Sequence, residues 1–389
     1  MGILVMSDIV PPDGEERWFV DGKIEELLDE KIYQLLRESD LNIVNLECPL
    51  IDTGVKINKW GSYLKAPSDS VNLLKKIPNL LVNLSNNHIR DYGDEGVLNT
   101  ISVLEKNGIS YVGAGKNIEE MEKVFVGAVG QKRIAVFACT EHEFSHAKAD
   151  CAGANPIDEV EDIFTIQQLQ KENDYVIVLY HGGCEFYEYP TPLQQKRLRN
   201  YIRAGADIVV CQHSHCIGSM EEYQNGTIIY GQGGFLFADR KEVIDNIQNW
   251  DMWTQGMMVS IDSVNKKNEN IFYCRKGNKL VLQENSEAER QLRERSENLL
   301  RENFVEQEWK RYCHSHKEYM SVLELWNTPS ENVIAKLKFI MKKIIKKQRR
   351  MEEYLKVYDY LYCETHEELI KYLVSDQIQS KEKDRVSNY

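Results

Sequence analysis

From residue 3 to about residue 285, the chain alternates short apolar runs with longer segments whose apolar residues have helical spacing. Eight runs are typical of strands: ILVMSD (3–8), NIVNLE (42–47), LLVNLS (80–85), KVFVGA (123–128), RIAVFA (133–138), YVIVLYH (175–181), DIVVCQ (207–212) and TIIYG (227–231). Helical patterns such as 23–39, 96–108 and 192–205 lie between them, and two of these close on glycine. This alternation predicts an α/β fold with mostly parallel strands covered by helices.

The rest of the chain departs from this strand–helix alternation at two points. Three closely spaced runs, 256–261, 270–274 and 279–283, predict antiparallel strands, which we expect to form a second sheet. After Glu284 the chain is highly charged, poor in Gly and Pro, and helical in pattern. We therefore predict two domains, residues 1–285 and a helical region at residues 286–389, whose helices could dock a protein partner or a second copy.

Charge and cysteine usage narrow the class of protein. The net charge of −13 argues against general nucleic-acid binding. Nine cysteines without a CxxC pair indicate reduced thiols rather than a disulfide framework. The chain has no secretory pattern at its start and no apolar stretch near the ~18 residues of a transmembrane helix. We therefore expect a cytoplasmic protein without a transmembrane segment.

Polar side chains that can bind a metal lie at the ends of five of the predicted strands or just after them. They are Asp8, then Asn45 and Glu47, then Asn86, Asn87 and His88 with Asp91, then His181, and finally His213 and His215. The carboxyl ends of strands form the ligand crevice of an open α/β sheet. Oxygen and nitrogen donors without thiolate suit zinc, manganese or iron better than calcium or magnesium. Each residue alone could be structural, but together they predict a metal site.

The HxH pair after the strand at 207–212 strengthens this prediction. In an extended backbone alternate side chains point the same way, so His213 and His215 would converge. Imidazole is the commonest protein ligand for transition metals. Three cysteines, Cys184, Cys211 and Cys216, lie beside the candidate ligands, so a thiolate-bearing zinc site is an alternative. We favour buried, inert thiols, which are the more common case.

Several motifs together resemble the capsule-synthesis protein CapA family of the poly-γ-glutamate synthesis type, a branch of the calcineurin-like metallophosphoesterases. The matching stretches are SDI (7–9), NLECPL (45–50), LKAP (64–67), LSNNHIRDYGDEG (84–96), ISYVGAG (109–115), HGGCEF (181–186), AGADIVVCQHSHCIGSMEEY (204–223) and IIYGQGGFLF (228–237). Their order and spacing agree with the family over roughly residues 3 to 240.

The resemblance implies a four-layer αββα sandwich of the metallo-dependent phosphatase type, with two divalent metal ions (Mn, Zn or Fe) at one edge. It implies these roles: Asp8 and His215 on the first ion, Glu47 bridging both, Asn87, His181 and His213 on the second, His88 as the general acid or a transition-state contact, and Asp91 as its orienting partner. Asn45, Asn86 and Glu185 would contact the substrate or the ligands, with a plain surface acid as the alternative for Glu185. Val10 stands where the wider superfamily has a histidine, so we expect the first site to have one ligand fewer.

Two functions are consistent with these features. The first is a metal-dependent hydrolase that cleaves a phosphoester or an amide, such as a γ-glutamyl bond, in a small molecule or polymer linked to capsule biosynthesis. The alternative is a non-catalytic subunit of a capsule-assembly complex, with a residual metal site and a helical tail for docking. Stoichiometric metal would favour the hydrolase, because a docking subunit needs none.

Overall fold

A computed structural model describes residues 2–11, 16–237, 250–284, 287–320 and 350–387. The chain forms two compact units, residues 1–57 with 63–305 and residues 58–62 with 306–389. The division follows Val305, not residue 285, because the helix Glu287–Leu299 packs on the first unit. In that helix the hydroxyl of Ser296 accepts a hydrogen bond of 2.9 Å from the backbone N–H of Met220. Independent folding of residues 1–285 stays a prediction.

The first unit is built on two large sheets. Its strands are β1 (Ile3–Ile9), β2 (Leu41–Leu46), β3 (Leu80–Asn83), β4 (Ser110–Val112), β5 (Ala114–Gly115), β6 (Phe125–Val129), β7 (Lys132–Thr140), β8 (Gly153–Ala154), β9 (Tyr175–His181), β10 (Ile208–Gln212), β11 (Met220–Tyr223), β12 (Gly226–Ile229), β13 (Gln255–Asp262), β14 (Lys267–Lys276) and β15 (Lys279–Gln283). The first sheet has the order β15-β14-β13-β1-β2-β3-β4, and the second has the order β11-β12-β10-β9-β7-β6. Strands β5 and β8 form a small separate pair.

Within the first unit, helices cover the outer faces of both sheets. In chain order the α-helices are α1 (Arg17–Val20), α2 (Glu30–Glu38), α3 (Val71–Leu74), α4 (Gly93–Lys106), α5 (Glu161–Glu172), α6 (Pro192–Ala204), α7 (Trp250–Thr254), α8 (Glu287–Leu299), α9 (Phe304–Ser315), α10 (Arg350–Tyr362) and α11 (Glu364–Ser387). Short 3₁₀ turns lie at Ile24–Glu26, Ser68–Ser70 and Lys317–Met320. In the described part of the chain, no helix is both long enough and apolar enough to span a membrane.

The predicted helix at 192–205 shows how local sequence sets these elements. The side chain of Thr191 accepts a 3.1 Å hydrogen bond from the backbone N–H of Gln194, and Pro192 occupies the first turn. Gly205 ends the helix with φ of 117°, a left-handed conformation that side chains disfavour. The structure confirms this helix.

Alternating side chains along the strands create three apolar layers, as expected for an αββα sandwich. In β9, Ile177 and Leu179 face the core between the two sheets, whereas Val176 and Val178 face α5 and α6. In β1, Val5 faces the same central core, and its neighbours pack under α1 to α4. The order of layers is therefore helix, sheet, sheet, helix, which confirms the predicted fold class.

The prediction of a separate antiparallel sheet at residues 256–283 is wrong. Strand β13 pairs antiparallel with β1, with Ile3 opposite Ile261 and Val5 opposite Val259. The parallel strands β2, β3 and β4 extend the first sheet from the other side of β1, which leaves this edge open for β13. The second sheet is formed instead by the middle of the chain, from β6 to β12.

The topology brings the carboxyl ends of the parallel strands to one edge. In the first sheet Asp8 is opposite Asn45, and in the second sheet Gln212 is opposite His181, which is opposite Thr140. Side chains just beyond these positions therefore come from both sheets.

We predict that Asp162, a buried residue of α5 that faces α6, makes folding less favourable as the pH rises. Burial raises the pKa of its carboxyl group to about 7, even though the hydroxyl of Tyr201 donates a hydrogen bond to it. In the unfolded chain the pKa is about 3.9, so between these values the folded state holds a proton that the unfolded state has lost. From pH 5 to pH 8 the free energy of unfolding should fall by about 2–3 kcal/mol more in the wild type than in Asp162→Asn.

Urea titrations of both proteins in the presence of chelator, followed by circular dichroism, measure this difference. Equal pH dependence in the two proteins would show that Asp162 is ionised in the folded state.

Candidate metal centre

Two groups of three buried side chains meet at the carboxyl edge, and both include Glu47. One contains Glu47, His181 and His213, and the other contains Asp8, Glu47 and His215. Within each group the candidate ligand atoms lie within 4.8 Å of one another. Oε1 of Glu47 is 3.4 Å from Nε2 of His181 and 3.9 Å from Nε2 of His215. One carboxylate thus lies between the histidines of the two groups.

Asp8 is held in place by a chain of side-chain amides. The Nδ2 group of Asn86 donates to Oδ1 of Asn45 at 3.1 Å, and Nδ2 of Asn45 donates to Oδ1 of Asp8 at 2.8 Å. The pairing of β1 with β2 is irregular between Val5 and Asp8, and such irregularities re-aim side chains. The other oxygen of Asp8 is 3.2 Å from Nδ1 of His215. Asn45 and Asn86 therefore orient a candidate ligand from behind.

Asn87 lies beside the second group. Its Oδ1 atom is 3.1 Å from Nε2 of His181, and His181 also contacts Nδ2 of Asn45 at 3.2 Å through Nδ1. The amide oxygen of Asn87 is therefore close to the Glu47–His181–His213 group and could be a further ligand there.

The two histidines of the HxH motif converge through a turn and not through an extended strand. Strand β10 ends at Gln212, and His213 and His215 have φ of 94° and 51°. Non-glycine residues rarely adopt this region, and each such residue typically costs about 1–3 kcal/mol. The backbone N–H of His213 donates to Oδ2 of Asp8 at 3.4 Å, which ties the turn to the first strand. The strained turn directs one imidazole into each group.

The histidines of the two groups differ in the direction of their pKa shifts. Burial lowers the pKa of His181 to about 4, so this imidazole is neutral. Burial also disfavours a charged His215, but Glu47 and Asp8 outweigh it and raise its pKa to about 9. Burial raises the pKa of Asp8, yet His215 more than offsets it, and the value lies below the usual one. The carboxylates thus favour a cation beside them.

His88 and Asp91 form a separate pair next to this centre. Nδ1 of His88 is 2.7 Å from Oδ2 of Asp91, and both side chains are buried. The same oxygen of Asp91 accepts a 2.7 Å hydrogen bond from the backbone N–H of Leu64, which fixes the carboxylate. The arrangement leaves Nε2 of His88 as the ring nitrogen that is not engaged by Asp91.

Three aromatic side chains lie close to the ring of His215. Its ring centroid lies 4.3 Å from that of Phe237, 5.6 Å from that of Trp253 and 6.3 Å from that of Phe186. Val10 is fully buried in the same apolar cluster as Phe237 and Trp253. Val10 therefore contributes to the apolar core, and a first site with one ligand fewer stays a prediction.

A family model described as bacterial capsule synthesis protein PGA_cap matches residues 14–239, more than half of the chain. The chain belongs to this family. The membership expected from the motifs is confirmed, and the matched residues contain every candidate ligand except Asp8.

Two curated relatives of this PGA_cap family member are named for capsule or PGA biosynthesis. The capsule biosynthesis protein CapA of Bacillus anthracis is 30% identical over 211 residues, which are 52% of this chain and 51% of that protein. The PGA biosynthesis protein CapA of Bacillus subtilis (strain 168) is 30% identical over 207 residues, 52% of this chain and 54% of that protein. The chain spans about half the length of the curated relatives it matches.

Solved structures offer more distant likenesses. One is a phosphatase of Mycoplasma pneumoniae, with 13% identity, a TM-score of 0.41 and coverage of 75% of this chain and 96% of the other. Another is a hypothetical protein of Thermus thermophilus, with 14% identity, a TM-score of 0.41 and coverage of 72% of this chain and 96% of the other. Neither likeness is close enough to bear on the activity of the chain.

Sequence reasoning missed the loop 141–146, EHEFSH, which follows β7. Oε2 of Glu143 accepts a 3.2 Å hydrogen bond from Nδ2 of Asn87, and Oε1 of Glu141 accepts one of 2.8 Å from the hydroxyl of Tyr180. The strand itself is predicted correctly, and its end pairs with His181 through Thr140. The rule that polar residues after parallel strands meet at one edge could therefore have found this loop.

Glu185 and the nearby cysteines lie outside the two groups. Glu185 is exposed and has no hydrogen bond within the described residues, although its charge slightly opposes the lowering of the pKa of His181 and adds to the raising of the pKa of His215. Burial raises the pKa of the Cys211 thiol, and it raises that of Cys216 to about 12. No cysteine belongs to a group of candidate ligands in the part of the chain that the structure describes. These observations favour inert thiols.

We predict that a substitution in one group lowers the metal content by one ion, whereas a substitution of the shared Glu47 lowers it by two. Asp8→Asn and His213→Ala each remove a donor from one group, so each should lose about one of two metal equivalents. Glu47→Gln weakens both groups and should lose both. Elemental analysis of protein loaded with Mn²⁺ or Zn²⁺ and then dialysed measures the content.

Glu185→Gln is the matched control, because it removes a nearby charge that belongs to neither group. Equal metal content in Glu47→Gln and the wild type would contradict the assignment.

Proposed function

We propose that the chain is a divalent-metal-dependent hydrolase that cleaves a phosphoester or an amide bond. The observation that carries this proposal is the buried carboxylate of Glu47, which belongs to two groups of candidate ligands at once. Shared carboxylates are suited to dinuclear centres, in which two ions act on one bond. The strand-edge position, at the crevice side of both sheets, supports access for a substrate.

The residues of each group would hold one ion. Asp8, Glu47 and His215 would hold the first, and Glu47, His181 and His213 with the amide oxygen of Asn87 would hold the second. This donor set of carboxylate, imidazole and amide fits zinc, manganese or iron. When bound, such ions polarise the oxygen of the bond to be cleaved and lower the pKa of an attacking water molecule.

His88 would act as the general acid. In its protonated form it donates Nδ1–H to Asp91, which stabilises the charge, and Nε2–H would donate a proton to the leaving group. The hydrogen bond from Leu64 keeps the Asp91 carboxylate from turning away. The chain thus separates the residues that hold metal from the residue that moves a proton.

Chemistry and family together support a proposed substrate class. Membership in a capsule-synthesis family and relatives named for capsule and PGA biosynthesis support a capsule-linked or polyglutamate-linked substrate, either a small molecule or a polymer. A γ-glutamyl amide and a phosphoester both present an oxygen that two ions can polarise. Nucleic acid is not proposed, given the net charge of −13, and a cytoplasmic location stays a prediction.

A non-catalytic docking subunit is the second candidate, and one surface favours it. Helix α10 exposes four large apolar side chains along one face: Met351, Tyr354, Tyr358 and Leu361. Tyr354 is 58% exposed. A stripe of this kind suits contact with a second copy or another capsule-assembly protein. Protein that carries no stoichiometric metal would favour this candidate over the hydrolase.

We predict that His88→Ala retains its metal content but loses most of its turnover. A general acid typically contributes ~10²–10⁴-fold to rate. The loss should be smallest for a p-nitrophenyl substrate, whose leaving group needs no protonation. A panel of phosphomonoesters, phosphodiesters and γ-glutamyl amides identifies the substrate, and kcat of the wild type and the variant is then compared.

Glu119→Gln, which removes an exposed carboxylate outside both groups, serves as the control and should keep wild-type kcat. Metal loss in His88→Ala, or unchanged kcat on the identified substrate, would rule out the role of His88 as general acid. Absence of turnover across the whole panel, in protein that holds no metal, would contradict the proposed function itself.

A further inference from the structure

We infer that Glu143 is a positioning residue that fixes the side-chain amide of Asn87, so that its oxygen faces the second group of ligands. The inference rests on the proposed dinuclear centre, and it adds a residue that lies outside both groups of candidate ligands.

The two ends of the Asn87 amide have different partners. Nδ2 donates to Oε2 of Glu143 at 3.2 Å, while Oδ1 lies 3.1 Å from Nε2 of His181. An ionised carboxylate can only accept hydrogen bonds, so it selects the nitrogen end of the amide. Without Glu143 the amide could rotate and present nitrogen, which is not a ligand, to His181 and the metal.

The loop that carries Glu143 is attached to Asn87 at a second point. The hydroxyl of Ser145 donates to the backbone oxygen of Asn87, and the backbone oxygen of Ser145 accepts a 2.8 Å hydrogen bond from Ala154. At the start of the loop, Tyr180 holds Glu141. Glu143 therefore acts from a loop that is fixed on both sides of it.

The carboxylate also affects the amide electronically. A negative charge at the nitrogen end draws the amide protons toward it and increases the negative charge on Oδ1, which makes the oxygen a better ligand. Partners of this kind, behind a ligand, typically change metal affinity by ~10–100-fold. Charge and orientation act together here, and substitutions can separate them.

The test measures the Kd of Mn²⁺ at each site by competition with a chelator, in purified full-length protein. Glu143→Ala should raise the second-site Kd by ~10–100-fold and leave the first-site Kd unchanged. Glu143→Gln keeps an acceptor oxygen without the charge, so it should restore part of the affinity. Thermal unfolding of each variant with chelator present reports any loss of stability separately.

A double-substitution cycle identifies the route of the effect. If Glu143 acts through the amide, Glu143→Ala should change the second-site Kd little in an Asn87→Ala background, because the group it positions is already absent. Ser145→Ala is the matched control: it weakens the same loop at the Asn87 backbone and should have a smaller effect on Kd.

Three results would overturn the inference. Full additivity of the two substitutions, or equal effects of Ser145→Ala and Glu143→Ala, would reduce Glu143 to a structural part of the loop while the metal centre stands. Wild-type protein that binds no second ion would overturn the inference together with the proposed function.

Discussion

The buried carboxylate of Glu47 is the constraint on which the rest of the site depends. Its Oε1 atom lies between the two groups, 3.4 Å from Nε2 of His181 and 3.9 Å from Nε2 of His215. Asp8 is also buried beside His215. Removing two carboxylates from water costs several kcal/mol each unless cations compensate them. In the protein itself a protonated His215 supplies one positive charge, as its pKa of about 9 indicates. A divalent ion bound to His215 would displace this proton, because only neutral imidazole binds a metal, so the site is built for positive charge in either case.

The fold stabilises this concentration of polar groups. The strands behind the site are apolar on both faces, and their three layers of core residues hold the carboxyl ends in a fixed register. The strained turn at His213 and His215 persists because the surrounding strands and the hydrogen bond to Asp8 determine it. Stability from the core thus supports an unfavourable local conformation at the site.

Much of this architecture could be predicted from the sequence. The rule that polar residues after parallel strands share one edge selects Asp8, Glu47 and His181, because the strand signals before them are strong. The αββα arrangement is implied by the resemblance and not by periodicity, since strand patterns do not say which strands share a sheet. For that reason the sequence pattern places the antiparallel strands β13 to β15 in a separate sheet, although they extend the first one beside β1.

Other features depend on three-dimensional detail that patterns do not carry. The left-handed turn that directs His213 and His215 is not visible in an HxH motif, which alone suggests an extended strand. The contact of Glu143 with Asn87 joins residues that are 56 positions apart. The exposed position of Glu185 likewise follows from the path of the loop after His181, which a neighbouring sequence position does not reveal.

The most direct test of the shared carboxylate is an X-ray structure of the protein soaked with Mn²⁺ or Zn²⁺, with anomalous scattering recorded at the absorption edge of the metal. A shared carboxylate predicts two anomalous peaks, one on each side of Glu47, with one peak next to Asp8 and His215 and the other next to His181 and His213. Peaks that do not contact Glu47, or a single peak that leaves one of the two groups without metal at saturating concentration, would contradict it.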